Sequence, residues 1–323
     1  MAQIDPGEFT PLGAILSPRA WLRWLIGLLL LAALIVWVQR EVGWSQLLAP
    51  WLDLPLGKLL LLLLLTAASY LLRAVRIYDY SYRLLQGAFP ATLRLTLLHN
   101  ALNNFLPMRL GELAFPILMK RYFRQGYLAS GVTLLWIRVL DLHLLGLVAL
   151  IFWYWTSGES WWAWLTLPWM TLVPGLYFGH GLARRWVVGR QGRLLGLVAK
   201  VLDQVPDSAG QFLRIWIWTA LSWGCKILAY TAVVLHFSPL DLGRAVLGTV
   251  GAELSSVLPV HGVAGAGTYE LAMSAVLLPL GIDLANILKA AVNLHLYLLG
   301  ASLLLGGCAL LLPRPPPAAA NQA

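Results

Sequence analysis

Long apolar runs, interrupted by two polar islands that each contain a proline, organise this chain. Runs of the length needed to cross a hydrocarbon layer roughly 30 Å thick fall near residues 21–38, 54–72, 129–155, 161–178, 212–237 and 285–312, and each predicts a spanning helix. Over 91–119 and 245–281 the hydrophobicity is too interrupted for a plain lipid-facing helix, so both stretches predict broken helices or re-entrant hairpins. The islands read HNALNNFLPMRLGE at 99–112 and GAELSSVLPVHGVAGAGTYE at 251–270. A shift of 152 positions lays Leu102, Leu106 and Pro107 over Leu254, Leu258 and Pro259, and the pair Asn103, Asn104 over the pair Ser255, Ser256. The expected fold is all-α: a polytopic membrane bundle of about six full spans plus two broken or re-entrant helical hairpins in an inverted repeat. Half-repeats are expected at roughly 21–155 and 161–312, between an N-terminal segment 1–20 and a Pro- and Ala-rich tail 313–323.

Composition agrees with that pattern. Of 323 residues, 59% are hydrophobic and only 11% charged, and the mean hydropathy of +0.74 excludes an ordinary soluble domain. Many of the 16 Trp lie near the ends of apolar runs, as aromatic belts at headgroup level do. Residues 1–18 are polar, contain Asp5 and Glu8, and lack a basic n-region or a small-residue cleavage pattern, so the run from Trp21 to Val38 is expected to be a retained anchor. Cys225 and Cys308 both fall inside predicted spans, which suggests neither a disulfide framework nor a Cys-based metal site.

The net charge of +9 acquires meaning from its placement. With both termini cytoplasmic, sixteen Lys and Arg, including Arg73, Arg76, Arg94, Arg121, Arg184 and Arg214, fall on the inner side, against Arg40, Lys58, Arg244 and Lys289 outside. The first island must then enter and leave from the cytoplasm and the second from outside. Cationic loops of this kind point to anionic inner-leaflet lipid rather than nucleic acid. Residues 181–205, with Arg184, Arg185, Arg190, Arg193 and Lys200 among Leu and Val, read either as an amphipathic helix on that surface or as a solvated loop.

Ionisable residues inside the apolar layer cost roughly 2.5 to 3.5 kcal/mol each on insertion scales, so each implies a partner or a site. Arg109, Glu112, Arg138, Asp141, Lys226, Glu253 and Glu270 qualify, with His143, His261 and His295 as secondary candidates. Arg138 and Asp141, three apart, share a helix face and neutralise each other, either as a structural pair or at a substrate. Arg109 and Glu112 have the same spacing just after Pro107, where freed backbone groups are tolerated mainly around a cavity. Gly262, Gly265 and Gly267 before Glu270 permit a tight turn, or offer backbone N–H groups to a phosphate.

Asn104, Leu106, Pro107, Arg109, Gly111 and Glu112, followed by Arg138 and Asp141 and then Gly265, Gly267 and Glu270, resemble the lysylphosphatidylglycerol synthase transmembrane, or flippase-like, family. Its first motif reads approximately N-x-L-P-x-R-x-G-E, matched here at every defined position. The second reads approximately P-G-G-x-G-x-x-E, and here Val263 and Ala264 replace its first Pro and Gly. The resemblance covers nearly the whole chain and implies a multi-pass inner-membrane protein that moves lipid between leaflets. Lipid aminoacylation is not expected of this chain.

The resulting expectation is a lipid flippase or transporter, not an enzyme, that binds a polar, anionic headgroup between the two islands. Asn103, Asn104, Arg109, Glu112, Arg138, Asp141, Glu253, Ser255, Ser256, Gly265, Gly267 and Glu270 are the candidate substrate-binding residues. No catalytic residue, metal or cofactor is expected, since the six His are scattered and no GxxxxGK[ST] motif occurs. A membrane-embedded lipid-modifying transferase and a non-catalytic subunit of a lipid or glycan assembly complex are the alternatives. Homo-oligomerisation, a lipid-biosynthesis partner and the identity of the lipid stay open.

Overall fold

The structure, a computed structural model, describes residues 20–187, 195, 198–199, 202, 205–206, 208–255 and 263–313, with the side chains of 20–24 and 107–109 outside that description. Twelve α-helices are present among the described residues: α1 Ala20–Glu41, α2 Trp44–Leu48, α3 Leu56–Tyr80, α4 Tyr82–Leu85, α5 Phe89–Phe105, α6 Ala114–Phe123, α7 Tyr127–Ser157, α8 Trp161–Val187, α9 Ala209–Phe237, α10 Leu242–Ser255, α11 Thr268–Leu277 and α12 Leu284–Leu311. Their ends follow local chemistry. Ser208 and Asp283 cap α9 and α12 by accepting from the N–H groups of Gln211 and Asn286, and Gly158 ends α7 in the left-handed conformation.

Five stretches among the described residues are long and apolar enough to cross a membrane: α3, α7, α9, Val263–Leu280 and α12. A sixth is the pair Leu25–Glu41 and Trp44–Trp51, bent by 92°. Two details differ from the sequence-based layout. The run expected to span at 161–178 forms α8, which is 27 residues long but is not among the five. Residues 181–187 continue α8 instead of starting a separate surface helix, and most of 188–204 lies outside the described residues.

Each island joins two packed helices, residues 256–262 of the second lying outside the described residues. In the first, α5 stops at an extended Leu106, a 3₁₀ segment Pro107–Leu113 reverses the chain, and α6 returns. Pro107 cannot continue the ladder of α5. Gly111 is required sterically: a Cβ there would come within 2.2 Å of the Asn103 Cα. In the second, α10 and α11 pack closely because Gly248 and Gly251 bring Leu277 and Val276 against the α10 backbone. The two tips touch, and α1 lies against both of them. At Gly27 the fit against Val263 leaves no room for a side chain, a Cβ there falling 2.5 Å from the Val263 side chain.

Around the tips, α3 packs along α9, α5 packs on α12 while α10 packs on α7, and α6 packs on α7 while α11 packs on α12. The largest apolar cluster, with Leu62, Tyr230, Phe237, Met273, Leu294 and Tyr297 fully or nearly buried, fills the space between α3, α9, α11 and α12.

Three arginines assigned by sequence to cytoplasmic loops are buried instead. Helix α3 runs on through Arg73 and Arg76, which are 6% and 2% exposed. Arg94 donates to the carbonyls of Ala309, Leu310 and Leu312 and so closes the C-terminus of α12. The charge asymmetry of the loops overlooks Arg76 and Arg94 because their partners are distant in sequence.

In the second tip Ala264 has φ 53, a left-handed conformation that costs a residue with a Cβ about 1 kcal/mol or more. Ala264→Gly is therefore expected to raise stability in detergent by a few tenths to about 1 kcal/mol, after the added chain entropy of glycine is subtracted. Thermal unfolding measures it, and an unchanged or lowered midpoint would contradict the strain.

Candidate functional site

Behind the touching tips lies a polar chamber of about 40 Å³ lined by Tyr70 and Arg73 of α3, Asn100, Asn103 and Asn104 of α5, Arg138 of α7, Trp223 and Lys226 of α9, Glu253 of α10, Ala264 and Tyr269 of the second hairpin, and His295 and Leu298 of α12. Every long element around the two tips except α1 and α8 thus contributes to its wall. The space accommodates a few water-sized groups, which describes a closed chamber.

One wall is an ion network built on Asp141, 2% exposed. Its Oδ1 accepts from Arg76 Nη1 at 2.6 Å and from Trp223 Nε1 at 2.9 Å, and its Oδ2 accepts from Arg138 Nη1 at 3.2 Å. Arg76 also donates to Thr219 Oγ1 at 3.0 Å. Arg138 reaches on to Glu112 Oε1 at 2.7 Å, which ties the first tip to α7. The return of the chain at Gly111 thus delivers Glu112 to Arg138, and His99 stands 3.2 Å from the Gly111 carbonyl to hold it.

Across the chamber, Lys226 Nζ donates to Glu253 Oε2 at 2.6 Å, and Tyr269 donates to Glu253 Oε1 at 3.3 Å. The ammonium also lies 5.1 Å and 4.9 Å from the rings of Trp223 and Tyr230. Arg73 differs from the other cations. Its guanidinium lies 4.7 Å over Trp223, but Nε and Nη2 are buried with no hydrogen-bond partner, and no carboxylate among the described residues pairs with it. Asn103 Oδ1, an acceptor on the same chamber, is likewise buried without a partner. A buried, unpaired guanidinium is costly, and it attracts any anion that reaches it.

Glu270 does other work. It is fully buried, accepts from the Gly267 N–H at 2.8 Å, and lies 2.7 Å from His295 Nδ1. His295 Nε2 stands 2.6 Å from the Ala264 carbonyl, which can only accept, so Nε2 carries a proton. Glu270 and His295 thus share the remaining proton and fasten the glycine turn to α12. Gly265 and Gly267, at φ 83 and 81, supply the turn itself.

Of the residues selected from sequence, Asn103, Asn104, Arg138 and Glu253 line the chamber. Asn104 also donates to Ser302 Oγ at 2.7 Å, holding α5 to α12. Glu112 and Asp141 sit behind Arg138. Ser255 donates to the Ala252 carbonyl of its own helix, and Gly265, Gly267 and Glu270 shape the turn. The Arg109 side chain and Ser256 lie outside the described residues. Sequence reasoning missed Tyr70, Arg73, Asn100, Trp223 and Tyr269 as wall residues. The signal for Arg73 was its spacing of three from Arg76 on an apolar run that continues to Ile77.

Removing the charge at Asp141 leaves Arg76 and Arg138 short of a buried counter-charge, which costs about 3 to 5 kcal/mol. Asp141→Asn, close in shape, is expected to lower the thermal midpoint in detergent strongly or to prevent recovery of folded protein. A midpoint within experimental error of the parent would remove Asp141 as the centre of the network.

No curated protein and no solved structure matches the chain. The model of one protein family does, over residues 24–306, and that match takes in both hairpins, the ion network and every wall of the chamber. A membrane-embedded, lipid-linked helical bundle with polar hairpin tips is in keeping with the family's description, and the chain belongs to the lysylphosphatidylglycerol synthase TM region family.

Proposed function

We propose that this protein is a lipid flippase or transporter, a carrier and not a catalyst, which passes a lipid with a polar, anionic headgroup between leaflets of a cell inner membrane. The headgroup occupies the chamber behind the hairpin tips while the chains stay in the bilayer. One observation carries this reading: Arg73 presents buried, unpartnered donors to a polar chamber inside the bundle. Among the described residues, no carboxylate around the chamber pairs its charge.

In this mechanism Arg73 draws the phosphate, and Asn103 and Asn104 meet the polar groups of the headgroup. Lys226 and Glu253 face one another across two helices and part when the chamber widens, the ammonium turning toward the phosphate. Widening requires the two tips to separate. They meet through short 3₁₀ segments rather than through long helix faces, so separation exposes little apolar surface. Alternating access then follows from moving one hairpin, and the helices it rests on, against the other.

Hydrogen bonds to a charged partner are worth about 1.5 to 3 kcal/mol, so Arg73→Gln is expected to slow translocation of a fluorescent phosphatidylglycerol roughly 10- to 100-fold. The assay uses reconstituted vesicles, with folding checked by the unchanged thermal midpoint. Arg73→Lys should retain part of the rate. Parent-like transport by the Gln variant would remove the chamber from the lipid path.

A further inference from the structure

In its closed form the chamber is smaller than the headgroup it is proposed to carry. One water needs about 10 to 15 Å³, so the chamber's volume of about 40 Å³ accepts a few single-atom groups and not a phosphodiester with its oxygens and carbon substituents. We propose that the closed chamber binds a small halide anion, chloride, against the Arg73 guanidinium. The ion site stands on the chamber itself; displacement of the ion by a lipid phosphate as the tips part rests on the transport reading.

Charge balance around the chamber points to this ligand. Asp141 and Glu112 hold Arg76 and Arg138, and Glu253 holds Lys226. Glu270 and His295 share a proton, so together they add no net charge. Arg73 remains, 6% exposed, with Nε and Nη2 buried and without a hydrogen-bond partner. The parts of the two islands outside the described residues, 256–262 and the side chains of 107–109, contain no Asp or Glu and bring no counter-charge. A guanidinium does not shed its proton in a protein, so deprotonation cannot relieve the buried charge as it can for a lysine. The Trp223 ring 4.7 Å away offers it a π face but no negative charge. A small anion on Arg73 supplies what the described groups lack.

The wall suits an ion of that size and charge. Halides accept from several N–H groups at once, and beside Arg73 the wall carries the Asn103 amide and the Lys226 ammonium, both of them donors. Glu253, the carboxylate on this wall, is turned to Lys226 and Tyr269, at 2.6 and 3.3 Å. Phosphate and sulfate are larger than the space and carry more charge than one guanidinium balances. Halide and lipid phosphate thus compete for the same group, one fitting the closed chamber and the other the widened one.

A ligand that binds only the folded protein raises its thermal midpoint. Full-length protein in detergent and sodium gluconate is titrated with sodium chloride, sodium bromide or sodium phosphate at constant ionic strength while the midpoint is followed. Chloride and bromide are expected to raise it by about 2 to 5 °C at roughly tenfold their dissociation constants, and phosphate to leave it unchanged. Arg73→Gln removes the buried charge together with its ion and should lose the halide response. Asn103→Asp, which places a carboxylate on the same wall, should lose it as well while Arg73 stays. No lipid enters this measurement, so halide binding is decided whether or not the protein moves lipid. Equal midpoints in chloride and gluconate, a halide response retained by Arg73→Gln, or a larger response to phosphate than to chloride would overturn the proposal.

Discussion

A buried carboxylate organises the centre of this molecule. Asp141 accepts from Arg76 on α3, from Arg138 on its own helix and from Trp223 on α9, and so binds three long helices at one point. Burying an ion costs several kcal/mol unless its partners are close and well oriented, so these helices have little freedom to slide. Through Arg138 the constraint extends to Glu112 and the first hairpin. Lys226 with Glu253, and His295 with Glu270, repeat the device for the second hairpin.

These fixed points allow two stretches of irregular backbone to exist deep in an apolar bundle. Non-helical backbone in a membrane protein survives where protein or a wet cavity satisfies it. Here Pro107 interrupts one helix, Gly111 lets the chain fold back onto Asn103, and the glycine turn at 265–267 is held by the Glu270 carboxylate. The two tips press against each other and against α1, and the chamber behind them contains a cation that no carboxylate among the described residues pairs. Paired charges hold the frame, and on the proposed reading Arg73 is the charge left for a ligand.

Much of this was legible in the chain. Apolar runs marked most of the long helices, and Pro107 and the glycines of the second island marked the breaks, because those residue types have local consequences. Arg73, Arg76 and Arg94 were misread as loop charges, since each follows or interrupts an apolar run as a loop arginine does. Arg76 and Arg94 have partners far along the chain, Asp141 and Thr219 for Arg76 and the end of α12 for Arg94, and Arg73 lies over the ring of the equally distant Trp223. No local pattern reports such a pairing. Glu270 shows the converse error. As an acid near a glycine turn it suggested headgroup chemistry, whereas its position three residues after Gly267 makes it the cap of its own helix.

The central claim is that a lipid phosphate comes to rest against the Arg73 guanidinium. Solid-state NMR dephasing between ¹⁵N-labelled arginine side chains and lipid ³¹P, in vesicles of phosphatidylglycerol, measures that contact directly. The account predicts a buried contact at hydrogen-bonding distance that disappears when Arg73 becomes Gln, while the signals from surface arginines stay. An identical dephasing curve in parent and variant would contradict it.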